Sequence, residues 1–369
     1  MRYKRMPIEI ESPEQMGYEN VKFNLTESSV SDAHFKNLNI NLNELVLCYG
    51  HHSGKPELRE LIAKEYKKIG AEDVLLTASA ASALFIIATS LLSEKDHLIV
   101  IRPNYATNIE TPRAIGCRMD FVDLSFENKF SVDPYKIKAL IKPDTKFISI
   151  TCPHNPTGTV LSESALKEII KIAEENNCYL LVDETYRDLS LKNKLHLAAS
   201  FSDKVISVSS VSKAYGLPGI RIGWIITKNK QLKELFLAAK EQIFICNSVV
   251  DEEIAHQFLL KKELHFEKIK KSVNENFSIL KLWMNNNKHF EWIEPEGGVV
   301  CFPRIKPEIN IDLKFFYHTL NNKYKTFVGP GHWFETDDRY MRIGFGWPPL
   351  KELEEGLKNI TLSVEESIG

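Results

Sequence analysis

The chain has 369 residues, 43% of them hydrophobic, which suits one large folded unit beside a smaller one and excludes disorder. A formal net charge of −2 removes any general electrostatic pull toward nucleic acid or a membrane surface. Six scattered cysteines without a CxxC pair argue against structural zinc and fit a reducing, cytoplasmic setting.

The first residues, Met1 to Glu11, lack the apolar core of a signal peptide. Residues 1 to 45 read as a polar, irregular arm. Lys55 to Lys68 has helical periodicity, with Leu58, Leu61, Ile62 and Tyr66 on one face. A strand then leads through Thr77 into the apolar helical stretch Ala80 to Leu92. Strands follow at Leu98 to Ile101, Phe147 to Thr151, Tyr179 to Val182, Val205 to Val208 and Arg221 to Ile226, with a helix over Glu163 to Asn176. This alternation predicts an α/β fold, a mostly parallel sheet covered by helices on both faces, with ligands at the carboxyl ends of the strands. Past about residue 256 the pattern changes to a long charged helix, Glu267 to Asn286, and short strands near Val299 to Phe302 and Tyr340 to Phe345. The expected division is a large unit over 45–255, and a smaller α+β unit made of 256–369 with the arm 1–44.

Several polar residues fall just past predicted strand ends. Lys213 sits in Ser210-Val211-Ser212-Lys213, with Arg221 eight positions on. A lysine amine can form a Schiff base with an aldehyde cofactor, and hydroxyls with a guanidinium can hold a phosphate. Asp183 ends the strand Tyr179 to Val182, where its carboxylate can pair with a protonated ring nitrogen or simply cap a turn. Asn155 lies in a loop stiffened by Pro153, Pro156 and Gly158. Ala80 and Ala81 open a helix whose first N–H groups can approach a phosphate, although a plain buried helix start has the same appearance. Tyr105 can stack on a ring or fill the core. Arg342, inside the apolar pattern Met341-Arg342-Ile343, needs a partner: a substrate carboxylate or a structural acid. His51 and His52 have no metal-ligand spacing, and no metal is expected.

Taken together, the Asn-Pro-x-Gly loop, the Asp-x-x-Tyr strand end and the Ser-x-Ser-Lys…Arg segment, in that order along the chain, resemble the class I/II aminotransferases of the pyridoxal-phosphate fold type I superfamily. The resemblance runs from Tyr49 to Arg342 and implies a large domain with a mostly parallel seven-stranded sheet sandwiched by helices. It implies pyridoxal 5'-phosphate as cofactor, held on Lys213. Asp183 would serve the ring nitrogen, Asn155 and Tyr186 the phenolic oxygen, and Tyr105 the ring face. Ser210, Ser212, Arg221 and the backbone at Ala80 and Ala81 would serve the phosphate. Tyr49 would reach the phosphate of a neighbouring subunit, which implies a homodimer. Arg342 would bind the α-carboxylate of a small-molecule amino acid or 2-oxo acid, and Asn155 would also serve the substrate. The chain departs from the family at Ala80-Ala81, where Gly-Gly-Ser is usual, and at Glu27-Ser28, where a glycine is common. Amino transfer is the leading expectation. The alternative is elimination, replacement or cyclisation of a modified amino acid with the same cofactor.

Overall fold

Seven strands form the central sheet: β1 (Val74–Thr77), β2 (His97–Arg102), β3 (Arg118–Asp123), β4 (Thr145–Thr151), β5 (Tyr179–Asp183), β6 (Val205–Ser210) and β7 (Gly223–Ile226). The computed structural model describes residues 1–192 and 195–368. The strand order is β1-β7-β6-β5-β4-β2-β3. Neighbours run parallel except β7, which is antiparallel to both β1 and β6. The alternation of side chains explains why the sheet is covered twice. In β2, Leu98 and Val100 enter one core cluster while Ile99 and Ile101 enter another.

The helices of seven residues or more are α1 (Pro56–Lys64), α2 (Ala80–Leu91), α3 (Thr107–Ile115), α4 (Pro134–Leu140), α5 (Glu163–Glu175), α6 (Lys230–Ile243), α7 (Val249–Leu260), α8 (Lys262–Asn286) and α9 (Leu350–Ser367). Hydroxyl and carboxamide caps start several of them: Ser162 accepts from Ala165 N–H at 3.2 Å, and Asn229 from Leu232 N–H at 3.0 Å. Helix α1 stops at Lys64, short of the predicted end, so the Tyr66 hydroxyl is free to accept from Arg187. Strand β7 starts at Gly223, because Ile222 is still held by the preceding loop through its N–H to the Ile220 carbonyl at 2.9 Å. The expected division at residue 256 falls inside α7.

The arm is more ordered than its composition predicts. It contains the short helices Pro7–Ile10 and Pro13–Met16, and its Phe23–Asn24 pairs in parallel with Thr326–Phe327. The C-terminal region builds a small antiparallel sheet from β8 (Val300–Cys301), β9 (Gly329–Pro330) and β10 (Met341–Gly344), with β10 in the middle. The arm lies against this sheet: Gly344 N–H donates to the Leu25 carbonyl at 2.8 Å, and a Cβ at Gly344 would collide with the Glu27 carbonyl. Among the described residues no helix is long and apolar enough to cross a membrane.

Candidate active site

The carboxyl ends of β4, β5 and β6 deliver Thr151, Asp183 and Ser210 to one side of the sheet. There they border a cavity of about 180 Å3 that Lys213 also lines. Lys213 lies in the turn after β6, and its carbonyl accepts from Val30 N–H of the arm at 3.1 Å. Burial holds its ammonium below the usual lysine range, and the charges of Arg342 and Arg221 act the same way against Glu27 and Glu14.

Asp183 is buried at the end of β5. Its Oδ1 accepts from the Thr185 N–H at 3.1 Å and the Thr185 hydroxyl at 2.6 Å. Burial raises its carboxyl, while the hydrogen bonds from Thr185 and Asn108 oppose that rise. Asn108 projects from α3 and is itself held by the Ser149 hydroxyl at 3.3 Å. Asn104 accepts from the Thr151 hydroxyl at 2.8 Å and from the N–H of Tyr105 at 2.8 Å, which fixes the loop that presents the Tyr105 ring. The loop of Asn155 is fastened by His154. Burial pushes this imidazole down to about 4, so it is neutral at pH 7. A carbonyl only accepts, so Nε2–H donates to the Pro103 carbonyl at 2.9 Å and Nδ1 accepts from the Thr157 hydroxyl at 2.7 Å.

The opposite end of the cavity is built to receive an anion. Ser79 caps α2, accepting from Ser82 N–H at 3.0 Å. The N–H groups of Ala80 and Ala81 occupy the first helical positions, where the helix supplies no acceptor. Gly223 of β7 passes so close that a Cβ there would strike the backbone of Ser79 and Ala80. Ser210 and Ser212 border the same end, and Arg221 stands exposed on its rim, donating to the Pro218 carbonyl at 2.5 Å.

A second chamber, of about 640 Å3, shares Ser28, Tyr105 and Lys213 with the first. Arg342 of β10 lines it. Its Nη1 donates to Asn155 Oδ1 at 3.2 Å and its Nη2 to the Thr26 carbonyl at 2.7 Å, while its Nε has no partner among the described residues. Both acceptors are neutral. The structural acid that would explain a buried arginine is therefore absent among the described residues, and the charge faces the chamber.

Every residue selected from the sequence for the cofactor lines the 180 Å3 cavity, apart from Tyr49. Tyr49 is 82% exposed, near the exposed Val46 and Leu47. His52 also lies outside the cavity and pairs with Glu241 at 2.6 Å. Sequence reading missed Ser79, Asn104, Asn108, His154 and Thr185. Each is a polar residue within a few positions of a selected one, and only the fold shows that their bonds converge on the cavity.

The donor set fits pyridoxal 5'-phosphate. A lysine with a depressed ammonium, a carboxylate at the cavity floor and an anion cradle of free amides, hydroxyls and a guanidinium share one small space. The fold and this site define a member of the class I and II aminotransferase family: residues 21–360 match the description "Aminotransferase class I and II", and the chain belongs to that family. Pyridoxal 5'-phosphate is the cofactor this membership implies.

Among known proteins, the chain is 29% identical to an aspartate aminotransferase of Pyrococcus horikoshii, over 83% of this chain and 80% of the relative. It is 26% identical to a capreomycidine synthase of Streptomyces vinaceus, over 87% of this chain and 82% of the relative. A crystal structure of a PLP-dependent aminotransferase from Streptococcus suis superposes with a TM-score of 0.92 at 27% identity, covering 100% of both chains.

Proposed function

We propose that the protein moves an amino group from an amino acid to a 2-oxo acid, using pyridoxal 5'-phosphate bound through Lys213. When bound, the cofactor supplies an aldehyde for the lysine amine and a ring that takes up the electron pair left at the substrate Cα. The other roles belong to the chain. Asp183 would keep the ring nitrogen protonated, Asn155 and Tyr186 would serve the phenolic oxygen, and Tyr105 would serve the ring face. Arg221, Ser210, Ser212 and the amides of Ala80 and Ala81 hold the phosphate. Arg342 grips the α-carboxylate, which fixes which bond at Cα faces Lys213. Burial lowers the pKa of the Lys213 amine and so favours its free-base form, which can take a proton from Cα.

The observation that carries this reading is the shared wall: Lys213 lines both the cavity holding Asp183 and the chamber holding Arg342. Half-reactions test it. An amino donor alone is expected to convert the bound cofactor to its pyridoxamine form, and a 2-oxo acid to restore the aldehyde form. Release of ammonia or a side-chain leaving group, with the aldehyde form retained, would favour elimination, replacement or cyclisation. The similarity to a capreomycidine synthase supports that second reading.

The exposed Tyr49, Val46 and Leu47 support a homodimer in which Tyr49 reaches the neighbouring phosphate site. Sedimentation as a single chain at micromolar concentration would contradict it. The six free cysteines fit a reducing, cytoplasmic setting. The division proposed is a large unit over 45–255 and a smaller one of 256–369 with the arm 1–44, the boundary lying within α7.

A further inference from the structure

The chamber beside the cofactor cavity has a charge pattern that bears on the substrate side chain. Arg342, only 5% exposed, contributes a cation whose Nε is unpartnered. Glu27 lines the same chamber. No Lys, Arg or His stands within ion-pairing distance of its carboxylate among the described residues, and the polar contact it makes is with the Tyr18 hydroxyl at 3.4 Å. Burial raises the Glu27 carboxyl, opposed by the charges of Lys213 and Arg342. Its place relative to Arg342 is set by the backbone: the preceding carbonyl, of Thr26, accepts from Arg342 at 2.7 Å, and Gly344 makes room for the carbonyl of Glu27 itself. Glu14, from the helix Pro13–Met16, is a second carboxylate of this chamber, exposed and within electrostatic reach of Glu27, Lys213 and Arg342.

Of the charged residues that line the chamber besides Lys213 and Arg342, Lys4, Arg5, Glu9 and Glu14 are exposed, whereas Glu27 is half-buried. Lys4 and Arg5 are exposed on its rim, and Arg5 donates to Gln15 Oε1 at 2.8 Å and to the Glu9 carbonyl at 2.9 Å. Under the proposed function Lys213 serves the cofactor and Arg342 the α-carboxylate. The half-buried charge left for the side chain is then the Glu27 carboxylate, with Lys4 and Arg5 out on the exposed rim. An anionic side chain would meet like charge there. A neutral one would leave Glu27 desolvated and unpaired. Tyr105 and Trp333 add aromatic faces, which also attract cations.

We propose that the amino acid taken by this chain carries a cationic side chain, an ammonium or a guanidinium, which pairs with Glu27 and is drawn in past Glu14. This rests on the reading of Arg342 as the α-carboxylate site. A dicarboxylic amino acid bound the same way would set its second carboxylate against Glu27.

Titration of the holoenzyme with L-arginine, L-ornithine, the neutral L-citrulline and L-aspartate, followed by cofactor absorbance, tests it. Arginine or ornithine is expected to bind at least about tenfold more tightly than citrulline or aspartate. Glu27→Gln is expected to erase that preference while leaving citrulline within about twofold of its wild-type affinity. Citrulline or aspartate binding as tightly as the basic amino acids would overturn the inference and leave the proposed function standing. Equal loss for all four in Glu27→Gln would overturn it too, making Glu27 a positioning residue for Lys213. Should that variant not fold, the wild-type order of affinities decides, with Glu14→Gln expected to weaken arginine about two- to threefold. If no amino acid changes the cofactor spectrum, the proposed function itself fails.

Discussion

The cofactor cavity and the substrate chamber share Lys213, yet they are built by different means. The cavity hangs from the ends of β4, β5 and β6, and several of its polar groups are locked by short-range bonds, such as those from the Thr185 hydroxyl to Asp183 and from the Ser212 N–H to Ser210 Oγ at 3.3 Å. The chamber is assembled from pieces far apart in the chain: the arm at Glu27, the loop at Asn155 and β10 at Arg342. The first arrangement makes a rigid receptor for one constant ligand. The second can change its lining without disturbing the sheet, and it holds Glu27-Ser28, one of the two departures noted in the sequence, while the other, Ala80-Ala81, lines the cavity.

If the two regions are as separable as this, damage to one should spare the other. Arg342→Ala should raise the substrate KM by about a hundredfold or more, since it removes a desolvated charge-assisted contact. Cofactor affinity should change less than threefold. Equal losses of substrate and cofactor binding would break the distinction.

A smaller effect sharpens it from the side of the arm. His332 bridges Asp338 at 2.8 Å and Glu11 of the arm at 2.8 Å, and Trp333 Nε1 donates to the same Glu11 carboxylate at 2.7 Å. The hydrogen bond to Asp338, against partial burial and helped by Glu11, raises the imidazolium to about 9. The folded value lies above the unfolded one, so this fastening is complete below about pH 6.5 and lost as pH rises through about 9. The pair is well exposed and therefore screened. Tryptic cleavage after Lys4 or Arg5 should be about two- to fivefold slower in the wild type than in His332→Gln at neutral pH. The two should converge above pH 9.5. A ratio that stays constant with pH would remove His332 from the account.

The same contrast governs what could be read from the sequence. Strands such as β2, apolar on both faces, and β5, ending on Asp183, announce themselves by composition, and the residues selected for the cofactor lie in or beside them. The edge strand β3 does not, because Arg-Met-Asp-Phe-Val-Asp keeps polar residues toward solvent. Helix α3 is masked by Pro112 and by the buried Asn108, a residue that is there for Asp183 rather than for helix formation. The arm looked irregular because its order comes from partners some three hundred residues away, as in Phe23 opposite Thr326. Arg342 could be selected as a buried charge, but only the fold shows that, among the described residues, neither it nor Glu27 forms an ion pair.

The central claim is that one lysine, Lys213, carries the cofactor. Reduction of the purified protein with borohydride, digestion and mass spectrometry of the peptides measures this directly. The account predicts a single pyridoxyl group on Lys213, and loss of both that label and the visible absorbance band in Lys213→Ala. A label on any other lysine, or a wild-type protein that takes up no pyridoxal phosphate, would contradict it.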